Sequence, residues 1–218
     1  GSIGSSDYAN FQVFAVRAEK ESPNVQFYLT SSGAPGLGIK LTSSFYNEVY
    51  DNERWNFSVR VKPSKYPLSD GVSGSGLDDL TYDVHFRGTN TLLDHVQNQF
   101  HISASVSNTI GKRFMRANKR LYVGSHHQDF TSSVALQKSD VRVSSLRYWT
   151  KFLDNETLNM HALYPHSVGI TNPMRSAYLL PQSLSGTYVP NVDTLALNWD
   201  FGNVTGSGNS TSAGSYDA

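Results

Sequence analysis

The sequence predicts an all-β fold, a sandwich or barrel of antiparallel strands with one short helix late in the chain. Three observations carry that expectation. Apolar and polar residues alternate with period two through much of the 218 residues. Gly, Pro and Ser cluster in the breaks between those runs. One stretch, "LDNETLNMHA" at 153–162, replaces alternation with helix-start chemistry.

The elements follow in order. Strands are expected at 11–18, 25–30 and 38–42, the last two separated by the turn-rich "SSGAPGLG". In "RWNFSVRVKP", Trp55, Phe57, Val59 and Val61 share one face, and Asn56, Ser58, Arg60 and Lys62 the other. The glycine-rich "PLSDGVSGSGLDD" reads as a long mobile loop. In "DDLTYDVHFRG", Leu80, Tyr82, Val84 and Phe86 alternate with Asp79, Thr81, Asp83, His85 and Arg87. In "QFHISASVS", Phe100, Ile102, Ala104 and Val106 alternate with His101, Ser103, Ser105 and Ser107. Each of these strands buries one face and wets the other, as antiparallel sheets do.

"NTIGKR" reads as a turn, followed by strands at 120–124 and 141–149. In "DVRVSSLRYW", Val141 and Val143 have the opposite parity to Leu146 and Tyr148, so a bulge near Ser144-Ser145 would keep all four on the core face. After Trp149, Asp154 is the expected N-cap and Glu156 lies in the first turn. Leu158 and Ala162 stand one turn apart, with Phe152 and Leu153 as anchors. Two turns of helix cannot persist unaided, so this helix is expected to plug an end of the sandwich.

Beyond about residue 169 the pattern changes. "ITNPMRSAYLLPQSLSGTYVP" has three prolines and no clean period, while "TLALNWDF" places Leu195, Leu197, Trp199 and Phe201 on one face. The last residues are rich in Gly, Ser, Asn and Thr, a flexible composition. The expected organisation is a sandwich over 8–168, an extended connector over 169–191, and an extra strand with a flexible tail over 192–218 that would open a following module.

Composition narrows the function. Hydrophobic residues make up 38% and charged residues 17%, and the mean hydropathy is −0.39. Such a chain can build a core with polar strand faces. Eighteen basic residues balance eighteen acidic ones, and the pI is near 7.2. Nucleic acid is therefore not an expected partner, because its binders concentrate positive charge. No segment approaches the roughly 20 apolar residues of a membrane span. There is no cysteine, which favours a cytosolic, bacterial or viral origin over a secreted eukaryotic one. The sequons at Asn56, Asn155, Asn203 and Asn209 read as chance in a chain rich in Asn, Ser and Thr. The opening "GSIGSSDYAN" reads as a cloning scar followed by a piece of something longer.

Three stretches carry a family resemblance. "Val143-Ser144-Ser145-Leu146-Arg147-Tyr148-Trp149", continued by Leu153, Glu156 and Leu158, resembles the closing strand and capped turn of laminin G-like, or concanavalin A-like lectin/glucanase, domains. "RLYVGSHHQDF", through Leu121, Tyr122, Val123, Gly124 and Phe130, resembles the strand and loop before it. "RWNFSVRVKP" is similar to the strand that opens many such sandwiches. The resemblance spans roughly residues 11–167 and implies a jelly roll. Together with the Ser/Asn-rich connector and "LALNWDF", it extends to modules of very large structural proteins of tailed phages. That implies a non-enzymatic structural or adhesion module in a virion, whose partners are other virion proteins, neighbouring modules of the same chain, or glycans. A free-standing carbohydrate-binding lectin module, extracellular or at a cell surface, is the other reading.

The superfamily includes glycoside hydrolases with a Glu-x-Asp-x-Glu strand, which sets its carboxylates on one face. Here the nearest runs are Glu19-Lys20-Glu21, Asp51-Asn52-Glu53 and Asp154-Asn155-Glu156, at a strand end, a turn and a helix start. "SGSG" at 73–76 is loop composition and not a nucleophile elbow. No enzymatic activity is expected. Candidate ligand-binding residues are the rim cluster His126, His127 and Asp129, where the family can bind calcium or glycan, and Asp83 and His85 on the outward row of their strand. Calcium needs several oxygen ligands, and Asp129 alone does not supply them, so no cofactor is expected. Trp55 and Trp149 read as packing residues, Trp55 because it shares the parity of Phe57 and Val59.

Overall fold

The alternation seen in the sequence becomes ladder in the structure, a computed structural model that describes residues 11–31, 36–47, 49–51, 53–65, 80–117, 121, 123–126, 137–138, 142–165 and 195–200. Two compact units divide the chain: residues 1–121 with 129–134, and residues 122–128 with 135–218.

The first unit holds two antiparallel meanders. β1 (Gln12–Arg17), β2 (Val25–Thr30) and β3 (Lys40–Tyr46) pair in that order, as do β4 (Arg54–Pro63), β5 (Tyr82–Leu92) and β6 (His95–Val106). The two sheets share one apolar core. Val25, Phe27, Leu29 and Leu41 contribute from one sheet, and Val84, Phe86, Phe100 and Val106 from the other. Phe27 sits at its centre, with ring centroids 4.6 Å from Trp55, 4.8 Å from Phe57 and 5.8 Å from Phe100. Burying rings of this size is the main favourable term for such a unit. The arrangement is sandwich-like, and in the described residues of this unit each strand pairs with its neighbour in sequence.

Local chemistry fixes the registers. At the β2–β3 irregularity between Gln26 and Tyr28, the buried Ser43 Oγ accepts from the Phe27 N–H at 2.9 Å, so a side chain completes the ladder. The β5–β6 hairpin turns at Leu93 and Asp94, both with positive φ (47° and 61°). That is the left-handed pair of a two-residue hairpin turn, built here without glycine.

Among the described residues there are two helices where one was expected. The first, α1 (Asn108–Arg116), contains the "NTIGKR" segment that reads as a turn. The Ser107 side chain caps it by accepting from the Ile110 N–H. Phe114 enters the core, and Gly111 lies where any Cβ would overlap the Tyr82 ring. Close packing on β5 makes this segment helical in spite of its internal glycine.

The second unit contains the short ladder β7 (Ser125–His126) with β8 (Gln137–Lys138), the pair β9 (Ser145–Trp149) with β10 (Leu195–Asp200), and α2 (Asn155–Leu163). Of the strand expected at 120–124, the described residues Leu121, Val123 and Gly124 are irregular, Gly124 with φ 69°, and residues 120 and 122 lie outside the described residues. Nor is there a bulge at Ser144-Ser145. β9 begins at Ser145, Val143 is exposed, and Tyr148 is exposed rather than core. The observed register shift lies instead between Leu195 and Leu197 of β10. Leu195, Leu197 and Trp199 form a half-buried face, with Ala196 and Asn198 exposed between them.

α2 starts as its sequence dictates, with Asp154 Oδ1 accepting from the Thr157 N–H at 2.7 Å. It buries Leu158 and Ala162, and also Thr157 and His161. Arg147 ties this unit together: its Nε donates to Asn198 Oδ1 at 3.1 Å and its Nη2 to the Pro165 carbonyl.

Candidate functional site

The face of β4–β5–β6 turned away from the core carries the densest chemistry. Period two sends Asn56, Ser58, Arg60 and Lys62 of β4 to that face, with Asp83, His85, Arg87 and Thr89 of β5 and Gln99, His101, Ser103 and Ser105 of β6. Register then brings them level. Lys62, Asp83 and Ser105 form one row, Arg60, His85 and Ser103 the next, and Ser58, Arg87 and His101 a third.

The face is not simply wetted. Arg60 and Arg87 are only 8% and 7% exposed, whereas His101, Ser103 and Ser105 on the outer strand are open. Side chains link across it. His85 Nδ1 and His101 Nε2 are 3.0 Å apart, and Arg60 Nη2 reaches the same His101 nitrogen at 3.5 Å. Because a guanidinium can only donate, that nitrogen is the acceptor, which assigns the shared imidazole proton to His85 Nδ1. Arg87 Nη2 donates to Gln99 Oε1 at 2.9 Å, and Ser105 Oγ to Asp83 Oδ1 at 2.7 Å.

Electrostatics agree with that assignment. Burial holds His85 below the ordinary imidazole range, helped by the positive charges of Arg60, His101 and Lys62, while Asp83 opposes them. His101 is lowered by burial, then by Arg60 and Arg87. Both rings are therefore neutral near pH 7 in a positive local field. The arrangement can hold an anion and adjust its own protonation in doing so.

Of the residues singled out from sequence, Asp83 and His85 lie on this face, one on each side of Val84. His126 lies in β7, with only its backbone described. His127 and Asp129 fall outside the described residues. Among the described residues no group of three or more His, Cys, Asp or Glu stands close enough to hold a metal ion. The sequence places Arg87 on the same outward row as His85, and Arg60 and His101 on the outward faces of other strands without joining them to it. The missing signal was register across β4–β5 and β5–β6, the latter carrying a shift between Asn90 and Thr91 beyond the Leu93-Asp94 turn.

Trp55 packs against Phe27, Tyr46 and Phe57, and its Nε1 donates to Glu53. Trp149 is half-buried, edge-on to His161 at 5.1 Å. Both are packed side chains.

Compared with protein-family models, with curated proteins and with solved structures, the chain matches none.

Proposed function

We propose that this chain is a non-enzymatic structural or adhesion module of a large virion protein of the tailed-phage kind, with a jelly-roll sandwich as its scaffold. Its work is contact with other virion proteins, neighbouring modules or glycans. The observation that carries this reading is the polar face of β4–β5–β6: a broad, cross-linked sheet surface backed by a rigid aromatic core. A surface of that kind suits recognition, since the core supplies stability while Gln99, His101, Ser103 and Ser105 along β6 are exposed for contacts. The laminin G-like and concanavalin A-like motifs around Trp55, Leu121 and Trp149 support the same scaffold.

The test is to screen the chain against a glycan array and against purified virion proteins. Saturable binding to either, lost on substituting Arg60 or Arg87 and without release of new sugar ends, is the expected result. Cleavage of a bound glycan would overturn the non-enzymatic reading.

One observation favours the second reading, a free-standing lectin module. β10 pairs with β9 of its own chain, as a strand that completes its own domain would. Deleting residues after Asn191 separates the two. A modular protein keeps residues 11–167 folded, whereas a self-contained lectin melts as a whole.

A further inference from the structure

We propose that the hollow beside the β5–β6 hairpin tip receives a basic side chain of a partner protein. The carboxylates of Asp51, Glu53 and Asp94 take its charge, and Leu92 and Leu93 take its aliphatic stem. The site lies at the end of the sheet rather than on its polar face, and it stands or falls apart from the reading above.

Cross-strand ties set its walls. Asn90 Nδ2 donates to the Arg54 carbonyl at 3.1 Å, and Arg54 Nη2 to Thr91 Oγ1 at 2.8 Å. The hollow measures about 500 Å³ and is lined by three carboxylates and one guanidinium, a size usual for ligand sites. Glu53 accepts from Trp55 Nε1 at 3.2 Å. The carboxylates of Asp51 and Asp94 have no hydrogen bond or ion pair among the described residues. All three acids are exposed, so they are open to a ligand.

Two further observations point to a partner here. Asn90 is the most buried residue lining the hollow, 1% exposed, and its Oδ1 has no hydrogen-bond partner among the described residues. A buried carbonyl oxygen without a donor is costly. Its uncompensated dipole adds negative potential to the hollow without having to be touched. Leu93 is the second. Its φ of 47° suits glycine or asparagine rather than a bulky side chain, yet it is 85% exposed. Neither the turn nor burial explains leucine at that position, and backbone strain of this kind gathers where ligands are held.

Charge sets the sign of the partner, and geometry its class. Among the described residues no three acids or histidines stand close enough to share one metal ion, and calcium needs its oxygens gathered within about 2.3–2.6 Å of one point. A cation that serves separated carboxylates carries its donors on a longer frame. Lysine offers three N–H donors and arginine five, each on a stem that lies along apolar surface. Leu92, 59% exposed, and Leu93 beside it supply that surface. A neutral or acidic glycan offers neither the charge nor the stem.

Amide NMR of the full chain, titrated with tetralysine, its fully Nε-acetylated form, spermidine or calcium, tests this. Tetralysine should shift the amides from Thr91 to His95, and the acetylated peptide should not. The affinity should fall by roughly threefold or more between about 50 and about 300 mM salt. Asp51→Asn with Asp94→Asn should weaken binding by about tenfold or more. Leu93→Asn, better suited to that φ, should keep or raise the melting temperature and weaken binding by roughly threefold. That variant keeps the test decisive if the acid variants fail to fold. No shift with tetralysine, equal shifts with the acetylated peptide, or an affinity indifferent to Leu93→Asn would overturn the proposal. So would tighter binding of calcium, which would make the hollow a metal site, or of spermidine, which would make it a polyamine site. None of these outcomes touches the polar face of β4–β5–β6.

Discussion

Phe27 in the first unit and His161 in the second are both buried, and they are held in opposite ways. Phe27 is 1% exposed and ringed by Trp55, Phe57, Tyr46 and Phe100. His161 is 4% exposed, touches the edge of Trp149, and neither ring nitrogen has a hydrogen-bond partner among the described residues. The first unit is stabilised by a shared apolar core between two sheets. The second, with a shorter ladder and a nine-residue helix, depends on individual polar ties at Asp154 and Arg147 and tolerates a buried imidazole that gives little in return. The first unit should therefore be the more sensitive to ring truncation, and the second should carry the single largest acid-sensitive group among the described residues, His161.

The largest effect should come from Phe27→Ala, which removes the hub of the aromatic core. A cost of about 3–5 kcal/mol is expected, read as a lower midpoint in urea unfolding. A loss under about 1 kcal/mol would mean that the two sheets are not held together by this core.

Next comes acid. Burial, with Arg147 nearby, lowers the His161 pKa to about 4 from an ordinary 6.5. The unfolded chain therefore takes up the proton first. Stability is full above about pH 6.5, falls as pH drops toward 4, and levels off below it. After allowance for screening, the loss should be on the order of 1–3 kcal/mol. His161→Leu should flatten the profile, and proton NMR of the imidazole should show it titrating near pH 4. A titration near 6.5 would erase the contrast between the units.

Gly111→Ala sharpens the comparison from the other side, because the added methyl must displace Tyr82. Overpacking of that kind costs about 1–3 kcal/mol, although alanine is otherwise the better helix former. A stabilised variant in thermal melts would show that α1 does not press on β5.

The smallest effect should be Asp154→Ala, about 1 kcal/mol from the lost α2 cap. It should appear as faster hydrogen exchange in α2 with the β5–β6 amides unchanged. Slowed or unchanged exchange in α2 would mean that the cap contributes nothing.

The strands were legible where one face meets the core and the other does not. Residues 25–30, and the alternation through Trp55–Lys62, Tyr82–Arg87 and Phe100–Val106, could be read because Phe27, Val84 and Phe86 need a shared interior. The Asp154 cap was legible because capping is local. What sequence hid was tertiary. α1 was missed because Gly111 reads as a turn until Tyr82 is known to lie against it, though Ser107 and the Ile110–Phe114 spacing offered a signal. Arg60 and Arg87 look solvated by period alone, whereas in the structure both are buried, Arg60 reaching His101 and Arg87 donating to Gln99. The outward row Asp83–Arg87 was visible; that it forms one surface with two other strands was not.

The Leu93-Asp94 turn also has a consequence for the order in which the chain assembles. Leu92 and His95 pair across it only three positions apart, so the β5–β6 ladder can zip from its tip. Trp149 and Leu195 pair 46 positions apart. Closing that longer loop costs roughly 2 kcal/mol more, at about 0.6 kcal/mol per doubling of length. β9 then waits with an open edge and Tyr148 uncovered while the first meanders are already protected. Pulse-labelled hydrogen exchange during refolding should find β5–β6 protected first and β9–β10 last. The waiting interval, when β9 is open to any other strand, is when a crowded refolding mixture should lose material to aggregation.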